Sequence, residues 1–292
     1  MTKEEFCRLS GETLLLDGAT GSNLLAAGMP KNVCAEAWIL EHKAEILSLQ
    51  RSYVEAGSRM IYAPTFGANR INLDKHGLLP RLREMNLELV SYAKEAAGDK
   101  AYVGGDITTT GQMLEPFGDT TPEEAYEIYR EQILCLCEAG VDFIVAETMI
   151  SIDEALAAVK AARDVCDLPV LCTVTTDSAG KLFTGGTAWS AARAFEEAGA
   201  SAVGINCSVG PEQLPAVIHR IRESVSVPVI AKPNAGSPTF DQNGNAVYHM
   251  DPETFARHMR VLKEEGASVL GGCCGTTAEF IRKIREYCVD RA

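Results

Sequence analysis

The chain has 292 residues, of which 46% are hydrophobic and 23% charged, and its formal net charge is −13. This length and apolar content suit one large α/β barrel or two ordinary domains. The acidic balance argues against nucleic acid or an anionic membrane as a partner. The first residues lack an export signal and no apolar run reaches the roughly 18 residues of a membrane span, so we predict a cytoplasmic protein.

The ten cysteines are spread along a chain that carries no export signal, which argues against a disulfide-linked scaffold. Several of them lie in apolar helix or strand patterns, where a free cysteine packs as a small hydrophobic side chain. We therefore interpret these as core residues: Cys135, Cys137, Cys166 and Cys172.

Short apolar runs alternate with helical patterns along the whole chain. Runs that are apolar on both faces are typical of parallel strands covered by helices. Eight such runs are found, at residues 14–17, 60–63, 102–106, 143–147, 170–174, 202–206, 229–232 and 268–271. Eight alternations in a chain of this length predict one (β/α)₈ TIM barrel domain over residues 1–292, with a doubly wound open sheet as the alternative.

The helical segments begin at recognisable capping sequences. Thr121-Pro122-Glu123-Glu124 predicts a capping box with proline in the first turn, and Asp251-Pro252 predicts another helix start. Ser151 with Glu154 and Thr276 with Glu279 predict two further capping boxes. The connections 104–121 and 234–250, the second with an Asn243-Gly244 turn, are predicted to be long loops that serve as lids or as surface decoration.

Polar side chains follow the predicted strands at the point where each strand ends. The active sites of (β/α)₈ barrels form at the carboxyl-terminal end of the strands, so we expect these side chains to converge. They are Asp17 after the first strand, Glu147 after the fourth, Cys207 after the sixth, Asn234 after the seventh, and Cys273 and Cys274 after the eighth.

Three of these residues are cysteines, and three thiolates brought to one point form a zinc site with a fourth position left open. Adjacent cysteines in a regular strand point to opposite faces, but the glycines around Cys273 and Cys274 permit a turn that directs both to one metal. The alternatives are a vicinal disulfide or simple packing for this pair, and a core position for Cys207. Asp17 could likewise only cap a turn, and Glu147 could be an ordinary rim carboxylate.

Three segments resemble the signatures of the homocysteine S-methyltransferase family: Asp17-Gly18-Ala19-Thr20-Gly21-Ser22, Gly204-Ile205-Asn206-Cys207 and Gly271-Gly272-Cys273-Cys274-Gly275-Thr276-Thr277. The resemblance covers nearly the whole chain. Lys232-Pro233-Asn234-Ala235-Gly236 is most similar to the homocysteine-binding barrel of cobalamin-dependent methionine synthase.

The resemblance implies that Cys207, Cys273 and Cys274 hold a catalytic Zn²⁺ ion, with an oxygen of Asn234 as the fourth ligand until substrate displaces it. It also implies that Asp17 and Glu147 face the amino group of the substrate. The remaining substrate-binding residues that it implies are Gly18, Ala19 and Thr20, whose backbone amides would receive the substrate carboxylate, and Asn206.

The implied reaction is zinc-dependent transfer of a methyl group to the thiol of L-homocysteine, giving methionine. A free thiol has a pKa near 8.5 and is mostly protonated at neutral pH, whereas a thiol bound to zinc is deprotonated. The implied donor is a methylcorrinoid: methylcobalamin, a separate corrinoid protein, or further folate and cobalamin modules. S-methylmethionine or another small molecule is the alternative donor.

Two other classes of function fit the sequence. A barrel lyase or aldolase would use another metal or a Schiff-base lysine, for which Lys232 on the seventh strand is the evident candidate. A non-catalytic module that binds zinc or thiols would deliver substrate to a partner without reaction.

Overall fold

The computed structural model describes residues 1–242 and 244–290. Asn243 of the predicted Asn243-Gly244 turn and the last two residues of the predicted 1–292 domain lie outside the described residues.

Ten strands are present in the described chain: β1 (Leu14–Leu15), β2 (Met60–Tyr62), β3 (Tyr102–Ile107), β4 (Phe143–Met149), β5 (Val170–Val174), β6 (Ala202–Cys207), β7 (Val229–Pro233), β8 (Thr239–Phe240), β9 (Ala246–Val247) and β10 (Ala267–Leu270). Eight of them form one parallel sheet in the order β1-β10-β7-β6-β5-β4-β3-β2. β8 and β9 form a separate antiparallel hairpin in the connection that follows β7.

The two ends of the eight-stranded sheet meet. The backbone N–H of Arg59 donates to the carbonyl of Leu15 at 2.9 Å, and that of Tyr62 donates to Asp17 Oδ2 at 2.7 Å. These bonds join the β1 and β2 edges and nearly close the barrel. The predicted (β/α)₈ barrel is confirmed, and the open-sheet alternative is wrong.

Helices cover the outside of the barrel, and at least one follows each of its strands. Among the described residues, no helix combines the length and apolarity needed to cross a membrane. The helices are α1 (Lys3–Ser10), α2 (Gly21–Ala26), α3 (Ala35–Glu41), α4 (Lys43–Ala56), α5 (Arg70–Lys75), α6 (Leu82–Ala97), α7 (Pro122–Glu138), α8 (Ile152–Val165), α9 (Ala188–Glu197), α10 (Pro215–Ser224), α11 (Pro252–Glu264) and α12 (Ala278–Arg285).

The predicted helix starts at Thr121 and Asp251 are confirmed. The Thr121 side chain accepts from the Glu124 N–H, and the Glu124 carboxylate accepts from the Thr121 N–H, which completes a capping box. The Asp251 side chain accepts from two N–H groups in the first turn of α11.

The two other predicted capping boxes are not formed. Ser151 accepts from the Glu154 N–H, but the Glu154 carboxylate turns away to bind Thr109 and Thr110. α12 begins after Thr277, and the Thr276 hydroxyl instead donates to the Cys273 carbonyl at 2.8 Å. Both exceptions have one cause: a partner on the barrel competes successfully with the local cap.

The barrel interior has two layers. Its amino-terminal half is apolar and is formed by side chains such as Phe143, Ile230 and Val269, with Phe6 of α1 in the same cluster. Side chains two positions apart share a face of a strand, so the same faces continue into the carboxyl-terminal half. There they carry Lys232 beside Asn206, which are paired in the β6–β7 register.

Candidate metal and substrate site

The three predicted cysteines lie together at the carboxyl-terminal mouth of the barrel. The sulfur atoms of Cys207, Cys273 and Cys274 are all within 4.8 Å of one another, and those of Cys207 and Cys274 are 4.0 Å apart. A tetrahedral zinc ion with Zn–S bonds of about 2.3 Å requires sulfurs about 3.8 Å apart. All three thiols are free, so the cluster can hold one metal ion.

A strained turn at the end of β6 presents Cys207. Cys207 and Ser208 have φ values of 55° and 63°, in the left-handed region that few non-glycine residues adopt. The Ser208 hydroxyl holds this turn, because it accepts from the Thr176 N–H at 2.9 Å and donates to the Asn206 carbonyl at 3.0 Å. Hydrogen bonds to the segment after β5 and to β6 itself therefore hold the strained turn in place.

The other two cysteines occupy the first two positions of a four-residue turn after β10. The Thr276 N–H donates to the Cys273 carbonyl at 3.1 Å, and Gly275 has a φ of 82° at the third position, as a type II turn requires. The Cys273 N–H also donates to the Pro233 carbonyl at 2.7 Å, which ties the turn to β7. This turn is how adjacent cysteines reach one point.

Asn234 offers an oxygen without a hydrogen-bond partner. The residue is 3% exposed, its Nδ2 donates to the Ser208 carbonyl at 3.4 Å, and its Oδ1 has no partner among the described residues. A buried acceptor left unpaired costs free energy. An amide oxygen left free in this way is chemically able to bind a metal ion.

The cysteines open onto a cavity of about 310 Å³. All of the predicted site residues except Asn206 and Asn234 line this cavity. The polar and cysteine lining consists of Asp17, Thr20, Glu36, Asp106, Glu147, Thr148, Lys232, Tyr62, Cys207, Cys273 and Cys274, and Gly18 and Ala19 add backbone.

Lys232 lies at the centre of the charged groups. Its Nζ is 3.3 Å from Asp17 Oδ1, 3.9 Å from Glu147 Oε2, and 5.0 Å from the centre of the Tyr62 ring. Burial alone would lower the pKa of Lys232, but Glu147 and Asp17 raise it well above its usual value. The side chain is therefore an ammonium ion, which is a poor Schiff-base nucleophile.

Burial has the largest effect on the pKa values of the two predicted carboxylates. It raises the pKa of Glu147 to about 7, with Lys232 acting in the opposite direction. It also raises the pKa of Asp17, again against the effect of Lys232. Asp17 is not a simple turn cap, since its Oδ2 accepts from the Tyr62 N–H across the barrel seam.

Asn206 connects the carboxylate side of the cavity with the cysteine side. Its Nδ2 donates to Thr148 Oγ1 at 2.7 Å and lies 3.5 Å from Glu147 Oε2 and 3.9 Å from Cys273 Sγ. Its Oδ1 accepts from the Thr148 N–H and the Thr173 hydroxyl, both at 2.8 Å. Because the Asn206 amide makes all of these contacts with other protein groups, it orients the side chains around it.

The loop after β1 packs closely on Tyr53. A Cβ atom on Gly18 would lie 2.6 Å from a Tyr53 ring carbon, so glycine is required there. The Tyr53 hydroxyl donates to the Ala19 carbonyl at 2.6 Å, and the Ala19 N–H donates to Thr276 Oγ1 at 3.1 Å. The Ala19 N–H is therefore already bonded within the protein. Of the three backbone amides predicted to bind the substrate carboxylate, those of Gly18 and Thr20 remain.

Three groups at the site were not predicted from the sequence in the roles that the structure shows. Lys232 was considered only as a Schiff-base lysine. Asp106 ends a strand as Asp17 and Glu147 do, and this shared position was a usable signal. Tyr248 follows the β8–β9 hairpin and packs on Gly275, the residue after Cys274, where an added Cβ would lie 2.4 Å from Tyr248 Cγ.

The profile of the homocysteine S-methyltransferase family matches residues 14–288. The chain belongs to this family. Membership confirms the family that the three sequence segments indicate. The chain is also 30% identical to methionine synthase of Mycobacterium tuberculosis and 28% identical to that of Mycobacterium leprae, each over 295 residues and 94% of this chain. These alignments cover 24% of each relative, so the chain spans about a quarter of their length.

Solved structures support the barrel. The oxidised and metallated forms of the homocysteine methyltransferase MmuM from Escherichia coli superpose with a TM-score of 0.79, at 19% and 20% identity. The alignments cover 94% of this chain and 95% and 96% of those chains. At this level of identity the likeness shows the shared fold.

Proposed function

We propose that residues 1–292 form the homocysteine-binding barrel of a zinc-dependent methyltransferase that converts L-homocysteine to methionine. The observation that carries the proposal is the convergence of three cysteine sulfurs within 4.8 Å at one side of a cavity whose other side holds buried carboxylates. Family membership supports the same acceptor.

The metal-binding residues would be Cys207, Cys273 and Cys274, with Asn234 Oδ1 in the remaining position. Three thiolates in a tetrahedral arrangement suit Zn²⁺ better than harder ions. When bound, zinc would supply acidification of the substrate thiol, so that its sulfur is held as a thiolate at neutral pH.

The protein residues around the metal would bind and orient the substrate. Lys232 opposes the rise that burial causes in the pKa values of Asp17 and Glu147, and these two carboxylates would receive the ammonium group of the substrate. The backbone at Gly18 and Thr20 would receive the substrate carboxylate. With both ends of the amino acid held, the thiolate sulfur forms a bond to the methyl carbon while the donor leaves with the electron pair of its own bond.

For the donor we favour a methylcorrinoid, presented as methylcobalamin by a corrinoid protein or by further folate and cobalamin modules. Phe117, Phe183 and Phe240 are 76%, 82% and 72% exposed, on the connections after β3, β5 and β7. All three connections are at the end of the barrel that holds the cysteines. We interpret these exposed side chains as part of a surface that a macromolecular donor would cover, which S-methylmethionine would not need.

Zinc content and zinc-edge X-ray absorption test the acceptor site. We expect one zinc per chain with three sulfur ligands and one oxygen ligand, and replacement of the oxygen by a fourth sulfur when homocysteine is added. A protein without stoichiometric zinc, or a spectrum that homocysteine leaves unchanged, contradicts the proposal.

A single-turnover assay tests the donor. Zinc-loaded protein mixed with homocysteine and either methylcobalamin or S-methylmethionine should form methionine with methylcobalamin. Product from S-methylmethionine alone would refute the corrinoid donor but keep the acceptor. Homocysteine binding without product from either donor would favour the non-catalytic module.

A further inference from the structure

Two cysteines that the sequence predicts as core residues are only half-buried. Of the four cysteines given that interpretation, Cys135 and Cys172 are buried, whereas Cys137 and Cys166 are partly exposed. The exposed pair is free of disulfide bonds and does not belong to the three-cysteine cluster at the barrel mouth. Simple packing as small hydrophobic side chains therefore does not account for these two thiols.

Cys137 lies on the face of α7 that packs against α8. Tyr126 marks this face, because its hydroxyl donates to Asp164 Oδ2 at 3.1 Å and its ring centre lies 5.4 Å from Lys160 Nζ, both on α8. Cys137 is three helical turns after Tyr126 and so shares its face of the helix. Cys166 is the residue immediately after α8.

Both cysteines line one pocket of about 560 Å³ at the amino-terminal end of the barrel. Val141 and Leu168, which come shortly before β4 and β5, line the same pocket, as does the start of the chain at residues 1–4. The metal site is at the opposite end of the strands. A small oxidant can therefore reach the two thiols without passing the metal site.

The two thiols are close enough for each to alter the acidity of the other. Contact with the Cys137 thiol lowers the pKa of Cys166 to about 6, with help from the Leu168 N–H and Arg163 and against the effect of burial. Contact with Cys166 raises the pKa of Cys137. A thiolate beside a thiol is the arrangement in which the first sulfur reacts with an oxidant and the second completes a disulfide.

We propose that Cys137 and Cys166 form a modification site, a dithiol that hydrogen peroxide converts to a disulfide. The Cys166 thiolate attacks one peroxide oxygen and the O–O bond breaks, which gives a sulfenic acid on Cys166 and a hydroxide ion. The Cys137 thiol then attacks the Cys166 sulfur, so that the S–S bond forms and water leaves. The hydroxide takes up the proton that Cys166 had released.

In total, two thiols are oxidised and one peroxide is reduced to two water molecules. The disulfide joins the carboxyl-terminal ends of α7 and α8, and the loop that it closes contains β4 and α8. This inference goes beyond the proposed function and does not depend on it, because the metal-site cysteines take no part in the reaction.

Peptide mass spectrometry tests the proposal. The full chain is treated with stoichiometric hydrogen peroxide, the remaining thiols are blocked with iodoacetamide, and digests are compared with and without a reductant. We expect a pair of peptides linked through Cys137 and Cys166 that the reductant separates, from protein that runs as a monomer on a non-reducing gel. Cys166 should react about tenfold faster than the exposed Cys7 or more, because the thiolate is the reacting form.

Three variants assign the roles of the two thiols. In Cys137→Ser the sulfenic acid on Cys166 has no thiol to react with, so dimedone, which traps sulfenic acids, should label Cys166. In Cys166→Ser the attacking thiolate is absent, and Cys137 should be oxidised no faster than Cys7. Cys7→Ser is the matched control and should form the disulfide as wild type does.

The inference is overturned if the wild-type protein forms no bond between Cys137 and Cys166 at peroxide amounts that oxidise Cys7. It is also overturned if either cysteine pairs with another residue, or if dimedone labels wild type and Cys137→Ser equally. The wild-type peptide map decides the question even where a serine variant does not fold. All of these results leave the proposed function intact, whereas a protein that fails to bind zinc or homocysteine would reject the proposed function and leave the dithiol unaffected.

Discussion

The two halves of the barrel interior use the same strands for different purposes. On β4, Phe143 belongs to the apolar cluster of the amino-terminal half, and Glu147, four residues later, lines the cavity. On β7, Ile230 and Lys232 show the same change over two residues. One strand face thus passes from sealed core to charged site within one or two side-chain repeats.

The difference shows where the molecule gains and loses stability. The amino-terminal half buries a cluster of apolar side chains, which is the arrangement that favours folding. The carboxyl-terminal half contains a left-handed cysteine, a lysine among carboxylates, and orphaned oxygens on Asp106 and Asn234. Such features persist where a ligand will use them.

The largest effect should come from Cys207→Ser, which removes one thiolate from the metal site. Loss of a group that only supports a metal ligand already costs about 10- to 100-fold in affinity, so removal of a ligand should exceed about 100-fold and abolish methyl transfer. Competition with a chromogenic zinc chelator measures the affinity. Cys7→Ser, at an exposed free cysteine, is the matched control and should behave as wild type. Full zinc occupancy in Cys207→Ser would show that Cys207 is not a metal ligand. The contrast between a binding half and a sealed apolar half of the barrel would then fail.

Phe143→Ala alters the amino-terminal half and should lower stability while leaving the metal and substrate site intact. Removing this fully buried ring should lower the free energy of unfolding by about 3–5 kcal/mol in urea titrations. Zinc and homocysteine affinities of the folded variant should stay within about twofold.

Gly104 supplies a control for Phe143→Ala. A Cβ atom on Gly104 would lie 2.2 Å from the Phe143 ring, so Gly104→Ala alone should destabilise the protein. In the Phe143→Ala background the space is open, and the double variant should be more stable than the sum of the single effects predicts, by about 1 kcal/mol. Strict additivity would mean that this packing is not as described.

Glu147, in the carboxyl-terminal half of the barrel, should make the free energy of unfolding depend on pH. Burial raises the pKa of Glu147 from 4.5 to about 7, so the folded protein binds this proton more tightly than the unfolded chain. The stabilisation is complete below about pH 4.5 and is lost as the pH rises to about 7, a change of about 3 kcal/mol. In metal-free protein, the stability difference between Glu147→Gln and wild type should grow in favour of the variant over this interval. A stability difference that does not change with pH would contradict the raised pKa of the buried Glu147 carboxyl.

The smallest effect should come from the outer helices. Thr121→Ala removes the side-chain acceptor of the capping box of α7, while the bond from its own N–H to Glu124 remains, and should cost about 1 kcal/mol of stability without altering homocysteine affinity. Thr277→Ala is the matched control, since Thr277 precedes α12 without a side-chain capping bond and its loss should be close to neutral. Equal losses in the two variants would remove the capping explanation.

The sequence predicted the fold because the relevant signals are local. Apolar runs of strand length, proline and capping residues at helix starts, and glycines at turns are each read within a few residues. Each of the eight predicted strands is present, with bounds that differ from the prediction by at most two residues. The capping box at Thr276 failed because its hydroxyl donates to the Cys273 carbonyl, three residues earlier, and accepts from the Ala19 N–H, which is distant in the sequence.

The site was predictable only in part, for the same reason. Strand ends in a barrel converge whatever their spacing in the chain, so Cys207, Cys273 and Cys274 could be brought together from their strand positions alone. Asp106 ends a strand too, but its lack of a partner is visible only once every neighbour is placed. The position of Lys232 beside two carboxylates likewise depends on the register between strands.

By itself, the sequence determined the order of strands and helices, the barrel class and the residue types available at its mouth, because these follow from short-range pattern and backbone preference. The tertiary structure alone decided which carboxylate pairs with Lys232, which amide of the Gly18–Thr20 loop is already used, and which acid is left unpaired. Hydrogen bonds and ion pairs act over about 3 to 4 Å, so a partner is decided by atomic placement that no local pattern contains.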